Sequence, residues 1–128
     1  MKSKIFYLTL VSFVLLALLY SIALIQGWFF YWPWFDWPMH FLGGFFAGGF
    51  SLWFFFKKLK NRQEIFLATF CGALIIGAAW ELFEYFTGLA FVVYGNYVFD
   101  TVKDFLMDAL GALAVYALAA KIKDKENV

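Results

Sequence analysis

Residues 5–26 read IFYLTLVSFVLLALLYSIALIQ, a run of 22 positions without one charged side chain. A helix rising 1.5 Å per residue needs about 20 apolar residues to cross the hydrocarbon core of a bilayer, so this stretch is long enough to span a membrane. Working outward, three more apolar stretches meet the same length, at about 38–56, 65–86 and 101–120. The composition agrees. The 128-residue chain is 65% hydrophobic and 15% charged, whereas a soluble domain is nearer half apolar and about a quarter charged; the mean hydropathy is +0.79. The predicted fold is all-α: a polytopic membrane protein, a four-transmembrane-helix bundle forming a single transmembrane domain over residues 1–128.

The breaks between the spans are of two kinds. KKLKNRQE (57–64) is short and basic, while GWFFYWPWFDW (27–37) and TGLAFVVYGNYVF (87–99) are aromatic, with Pro or Gly-Asn turn signals. Four crossings put Lys2, Lys4, Lys57, Lys58, Lys60, Arg62, Lys121, Lys123 and Lys125 on one side, which is nine of the ten basic residues. By the positive-inside rule that side is cytoplasmic, so both termini are expected in the cytoplasm and the aromatic loops outside, their Trp and Tyr residues suiting the headgroup belt. MKSK followed by an apolar run also resembles a signal peptide, with Ser21-Ile22-Ala23 as a small-x-small site. The uncharged stretch exceeds the usual h-region of roughly 7–15 residues, so the first helix is expected to be retained. The expected location is a cell membrane, crossed four times.

Lys103 is the one basic residue left outside, expected to pair with Asp100 or to snorkel to headgroups. The single cysteine, Cys71, excludes an internal disulfide or a cysteine metal cluster and reads as a small packing residue. Nucleotide-binding glycine loops, Ser/Cys-His nucleophile arrangements and nucleic-acid patches are absent from the sequence, so the partners expected are membrane lipids and a lipid-linked or cell-envelope substrate, not nucleic acid.

The acids fall in one place on this map. Asp36 and His40 open span two, Glu81 and Glu84 close span three, and Asp100, Asp104 and Asp108 open span four. All seven meet at the outer depth. Their separations of three and four residues put each set on one helix face. Continued inward, each face turns small: Gly43, Gly44, Ala47 and Gly48; Gly77 and Ala73; Gly111 and Ala112. Small residues let helix backbones approach closely in lipid, so spans two, three and four are expected to pack through these faces. Span one lacks such a face and reads as a lipid-facing brace.

Carboxylates in a membrane are expensive, about 2.5–3.5 kcal/mol each at mid-bilayer on the insertion scale and less toward the interface. Taken singly, Asp36 and Asp100 read as helix caps. Glu81, Glu84, Asp104 and Asp108 have no cap role, and clustered carboxylates cannot all ionise. A cation or a set of protons is therefore needed. Oxygen ligands with one imidazole suit a divalent ion such as Mg²⁺, Mn²⁺ or Zn²⁺. The expected metal ligands are His40, Asp36, Glu81, Glu84, Asp100, Asp104 and Asp108, with Glu81, Glu84 and Asp104 as catalytic carboxylates. The leading reading is a metal-dependent membrane enzyme acting on a lipid or cell-envelope precursor. The alternatives are proton or cation binding or transport, and a non-catalytic envelope factor whose acids form a structural polar network.

Three ordered motifs, Asp36-x-x-x-His40-Phe41, Trp80-Glu81-x-Phe83-Glu84 and Asp100-Thr101-x-x-Asp104, resemble the YjdF-like family of small bacterial inner-membrane proteins. More distantly they resemble the VanZ-like proteins, which are associated with glycopeptide (teicoplanin) resistance. The VanZ-like pattern runs Asp-Lys-x-x-His-Phe, then a membrane Glu, then Asp-x-x-x-Asn-x-x-Gly. Trp37 stands where that Lys falls and Asp108 where the Asn falls, while Asp104 and Gly111 match. The resemblance covers roughly residues 36–115. It implies a multi-span helical protein of the bacterial inner membrane with these signature residues and names no reaction.

Overall fold

The computed structural model describes residues 2–88 and 96–126, with side chains described as far as Ile122. The side chains of Lys123 and Lys125, and most of the second aromatic loop, lie outside what is described. Four helices are long and apolar enough to cross a membrane: α1 (Lys2–Gln26), α3 (Asp36–Phe55), α4 (Arg62–Thr87) and α5 (Tyr97–Glu126), with a one-turn helix α2 (Trp28–Tyr31) between the first two. The chain is an all-α, multi-pass membrane protein.

The helix boundaries follow local chemistry. Gly27 leaves α1 in the left-handed region at φ 68°, and Gly88 does the same for α4 at φ 69°, a conformation that costs glycine little. Asn61 caps α4. Its Oδ1 accepts from the Glu64 N–H at 2.9 Å, while Glu64 Oε2 accepts from the Lys60 N–H at 2.6 Å. That reciprocal arrangement starts α4 at Arg62, three residues before the expected span. Asn96 caps α5 in the same way, its Oδ1 accepting from the Phe99 N–H at 3.1 Å, so Asp100 lies inside the helix and caps nothing. Asp36 is likewise the first residue of α3 and makes no capping bond. The capping roles expected for these two aspartates are thus filled elsewhere or absent.

Helices α3, α4 and α5 pack through their small faces in layers. At mid-depth Ala47, Ala73 and Ala112, one from each helix, form a single buried cluster. Toward the basic loop, Ile5, Leu52, Ile65 and Ala119 close the core. Toward the other end, Ala23, Phe29 and Met39 join α1, α2 and α3. α1 is more than a brace: Ile5, Thr9, Ser12 and Ala23 are buried, and a Cβ on Gly49 of α3 would reach within 2.6 Å of Thr9 Oγ1. Its other faces are exposed, as are Phe30, Tyr31 and Trp34 in the aromatic belt. Cys71 also faces outward rather than into the core, correcting its reading as a packing residue.

The closest approach is between α3 and α5. A Cβ on Gly44 would land on the backbone of Asp108, and one on Gly111 would land on the Phe41 carbonyl and the Phe45 amide. Neighbouring Gly43 has room, since its Cβ would find only Asp108 Oδ1, at 3.7 Å. This contrast makes a paired test. Gly44→Ala forces the two backbones apart and is expected to destabilise by about 1–3 kcal/mol or more. Gly43→Ala should be neutral, or stabilising by up to about 1 kcal/mol through helix propensity. Thermal melting of the two variants in one detergent separates them; equal melting temperatures would contradict the backbone contact.

Candidate functional site

The same end of three helices brings the polar residues together. Asp36 and His40 stand in the first turns of α3, Glu81 and Glu84 in the last turns of α4, and Asp100, Lys103, Asp104 and Asp108 in the first turns of α5. All eight are buried. Because α3 and α5 touch through Gly44 and Gly111 just inward of this depth, their side chains converge instead of splaying.

Two halves can be told apart. In the first, the Lys103 ammonium donates to Asp36 Oδ2 and Asp100 Oδ1, each at 2.8 Å, and forms an ion pair with Asp104 Oδ1 at 2.9 Å. Of the two expectations for Lys103, the pairing with Asp100 holds and the snorkelling does not, since Lys103 is only 8% exposed; it is the internal counter-ion tying α3 to α5. This also explains why one lysine sits on the side the positive-inside rule leaves poor in them.

The second half centres on His40. Its Nε2 lies 3.6 Å from Asp36 Oδ1, 3.6 Å from Asp104 Oδ1 and 3.9 Å from Glu81 Oε1, while its Nδ1 lies 3.6 Å from Asp108 Oδ1. Each of these is too long for a hydrogen bond. Glu81 Oε1 and Asp108 Oδ2 are buried with no hydrogen-bond partner, and their residues are 6% and 3% exposed, while Asp104 Oδ1 is answered by the Lys103 ammonium. Buried polar atoms are normally satisfied, and these two oxygens are exceptions. Glu81 is aimed by Thr101, whose hydroxyl donates to Oε2 at 3.1 Å and leaves Oε1 toward His40.

Two overlapping triads have ligand atoms within 4.8 Å of one another: Asp36, His40 and Asp104, and His40, Glu81 and Glu84. Ligands about 2.0–2.2 Å from a shared ion stand roughly 3–4 Å apart, so both triads are near the required size. Asp100 belongs to neither; it meets Lys103. Six carboxylates here face one lysine and one histidine. Even with the histidine charged, four negative charges lack a partner when all the acids are ionised, and a buried uncompensated charge costs several kcal/mol.

A cavity of about 270 Å³ reaches this cluster from the membrane-facing side of α1 and α4. Asp36, His40, Glu84 and Asp108 form its polar wall. Tyr20 of α1 also lines it, and the Tyr20 hydroxyl is buried without a partner. Sequence reasoning overlooked Tyr20 and the orienting role of Thr101. The signal for Thr101 was available, since it precedes Asp104 by three and Asp108 by seven on the same face. Tyr20 carries no such periodic mark.

A family model described as a predicted membrane protein (DUF2238) matches residues 2–125. The chain belongs to the DUF2238 family. Neither a curated protein nor a solved structure matches this DUF2238 chain.

Removing the counter-ion should be costly. In the DUF2238 chain, Lys103→Met leaves three buried carboxylates facing one another and is expected to lose about 3–5 kcal/mol of stability. Asp100→Asn, which keeps the hydrogen-bond acceptor, should lose far less. Detergent melting curves of both variants check this, and an undiminished melting temperature for Lys103→Met would contradict the clamp.

Proposed function

We propose that this DUF2238 protein is a metal-dependent enzyme of the membrane, acting on a lipid or cell-envelope precursor, with the metal held by His40, Glu81 and Glu84. The observation that supports this most is the set of buried carboxylate oxygens without hydrogen-bond partners around an imidazole, on the wall of a cavity. The choice between the two triads follows from Lys103. Its ammonium lies 2.9 Å from Asp104 Oδ1 and would repel a cation placed there, whereas the other triad makes no ion pair with Lys103 among the described residues. We therefore assign Asp36, Asp100 and Asp104 to the charge clamp.

The remaining roles follow from position. Asp108 faces His40 Nδ1, and a carboxylate behind a ligating imidazole sets its tautomer and raises its basicity. A bound Mg²⁺, Mn²⁺ or Zn²⁺ would polarise a phosphoryl or acyl oxygen and lower the pKa of its water. Asp108, which lines the cavity, would take the proton from the attacking water. Thr101 holds Glu81 in place. With the basic loop cytoplasmic, the site opens at the extracytoplasmic side, where precursors of the bacterial inner membrane's outer leaflet are met. This reading agrees with the resemblance to the YjdF-like and VanZ-like families, whose signature positions these are.

Cation or proton transport is less well supported. Inward of the site lies the tightly packed layer of Ala47, Ala73 and Ala112, and no acid among the described residues continues the path.

Metal analysis of purified protein tests the assignment. Wild type should carry about one divalent ion per chain, with His40→Ala and Glu81→Ala largely depleted. Thr101→Val should retain the fold but bind the ion roughly 10–100-fold more weakly. Equal, near-zero metal in wild type and in both ligand variants would refute the metal.

A further inference from the structure

Lys103 is held as a bound ion is held. Its ammonium lies 2.8 Å from Asp36 Oδ2, 2.8 Å from Asp100 Oδ1 and 2.9 Å from Asp104 Oδ1, oxygens brought to one point by α3 and α5. Asp36, Asp100, Lys103 and Asp104 are 7%, 6%, 8% and 2% exposed, so water contributes little to their neutralisation. The charges do not balance: three ionised carboxylates surround a single positive charge. A divalent ion matches such a cage better than an ammonium does.

The cage also adjoins another cation position. Asp36 turns its other oxygen, Oδ1, to within 3.6 Å of His40 Nε2, and Asp36, His40 and Asp104 offer ligand atoms within 4.8 Å of one another. Asp36 thereby joins the point held by Lys103 to the space around the imidazole. Two-metal centres place their ions about 3.5–4 Å apart, a separation that one carboxylate bridges.

We propose that Lys103 is a tethered substitute for a second cation: Asp36, Asp100 and Asp104 form a calcium-type site that the chain fills with its own ammonium. The centre then has two cation positions, one supplied covalently and the other open to an ion from solution. The size of the cage identifies the class of ion. Ca²⁺ binds oxygens at roughly 2.3–2.6 Å and Mg²⁺ at roughly 2.0–2.1 Å. Starting from 2.8–2.9 Å, the oxygens move in by about 0.2–0.6 Å for calcium and about 0.7–0.9 Å for magnesium. Mg²⁺ also demands near-ideal octahedral geometry and dehydrates reluctantly, so calcium is favoured. The inference does not require a metal on His40, Glu81 and Glu84.

Two substitutions separate charge from space. Lys103→Ala removes the ammonium and vacates its place. Lys103→Met removes the charge but leaves a stem whose methyl group stands where an ion would enter. Both full-length proteins are purified in detergent with CaCl₂, then melted in millimolar CaCl₂ or after dialysis against chelator. Calcium should raise the melting temperature of Lys103→Ala by about 5 °C or more beyond its effect on Lys103→Met or wild type. Equilibrium dialysis with radioactive calcium should find one more ion per chain in Lys103→Ala than in Lys103→Met, with Mg²⁺ competing at least tenfold more weakly. Adding Asp100→Asn to Lys103→Ala should weaken that extra calcium at least tenfold, since Asp100 meets Lys103 and lies outside the His40 triads. Equal calcium in Lys103→Ala and Lys103→Met overturns the proposal. So does a Lys103→Ala protein that cannot be recovered with calcium present while Lys103→Met can. Both variants keep His40, Glu81 and Glu84, so an extra calcium in Lys103→Ala beside a metal-free wild type would refute the assignment of those ligands alone.

Discussion

The contact on which the rest depends is between two backbones. At Gly44 and Gly111, α3 and α5 approach so closely that a single methyl group on either would meet main-chain atoms of the other helix. In lipid there is little hydrophobic gain from joining apolar surfaces, and van der Waals packing with interhelical polar bonds must supply the association. The glycines supply the packing. The approach they allow, in turn, brings Asp36 and His40 within reach of Asp100, Lys103, Asp104 and Asp108, one turn further out. A wider crossing would leave those groups separately exposed to the membrane, each carrying its own insertion cost.

Given that convergence, charge divides the cluster. Lys103 makes its two aligned bonds with Asp36 and Asp100 and pairs with Asp104, so three carboxylates are answered by one ammonium. His40, Glu81, Glu84 and Asp108 are not answered in this way. Asp108 and Glu81 stand 3.6 and 3.9 Å from the imidazole, the distances of groups facing a shared space. Asp36 joins the halves, with one oxygen on Lys103 and the other toward His40. A purely structural network has no reason to leave buried oxygens unbonded while a neighbouring lysine is saturated. The asymmetry itself favours a site built to receive something.

Much of this architecture was legible in the sequence, because membrane helices announce themselves. Length and apolarity alone mark α1, α3, α4 and α5, and the three- and four-residue spacings place the acids and the small residues on shared faces. What escaped was set by tertiary contact or by chemistry too local for periodicity. Asp36 and Asp100 look like caps in sequence because an acid before a helix usually is one. Here Asn96 takes the cap of α5, and both aspartates are drawn to Lys103. Lys103 looks like a surface lysine because its long stem is able to snorkel, and only the packing of α3 on α5 shows that three carboxylates hold it inside. Cys71, small and within an apolar run, carries no mark of which face it occupies.

Tyr20 is the most instructive omission. α1 has no ionisable acid or histidine and no run of glycines, so by pattern it is a lipid-facing helix, and over most of its surface that is so. A lone phenol among aliphatic residues near a membrane interface ordinarily belongs to the aromatic belt. In this bundle its ring packs edge-on against Trp80 at 5.4 Å, and the hydroxyl is buried. The three polar helices by themselves form a cluster open to lipid on the side of α3 and α4. The addition of α1 converts that open flank into a pocket with an apolar wall. The helix with the least chemistry in its sequence thus walls the flank of the site that the other three build.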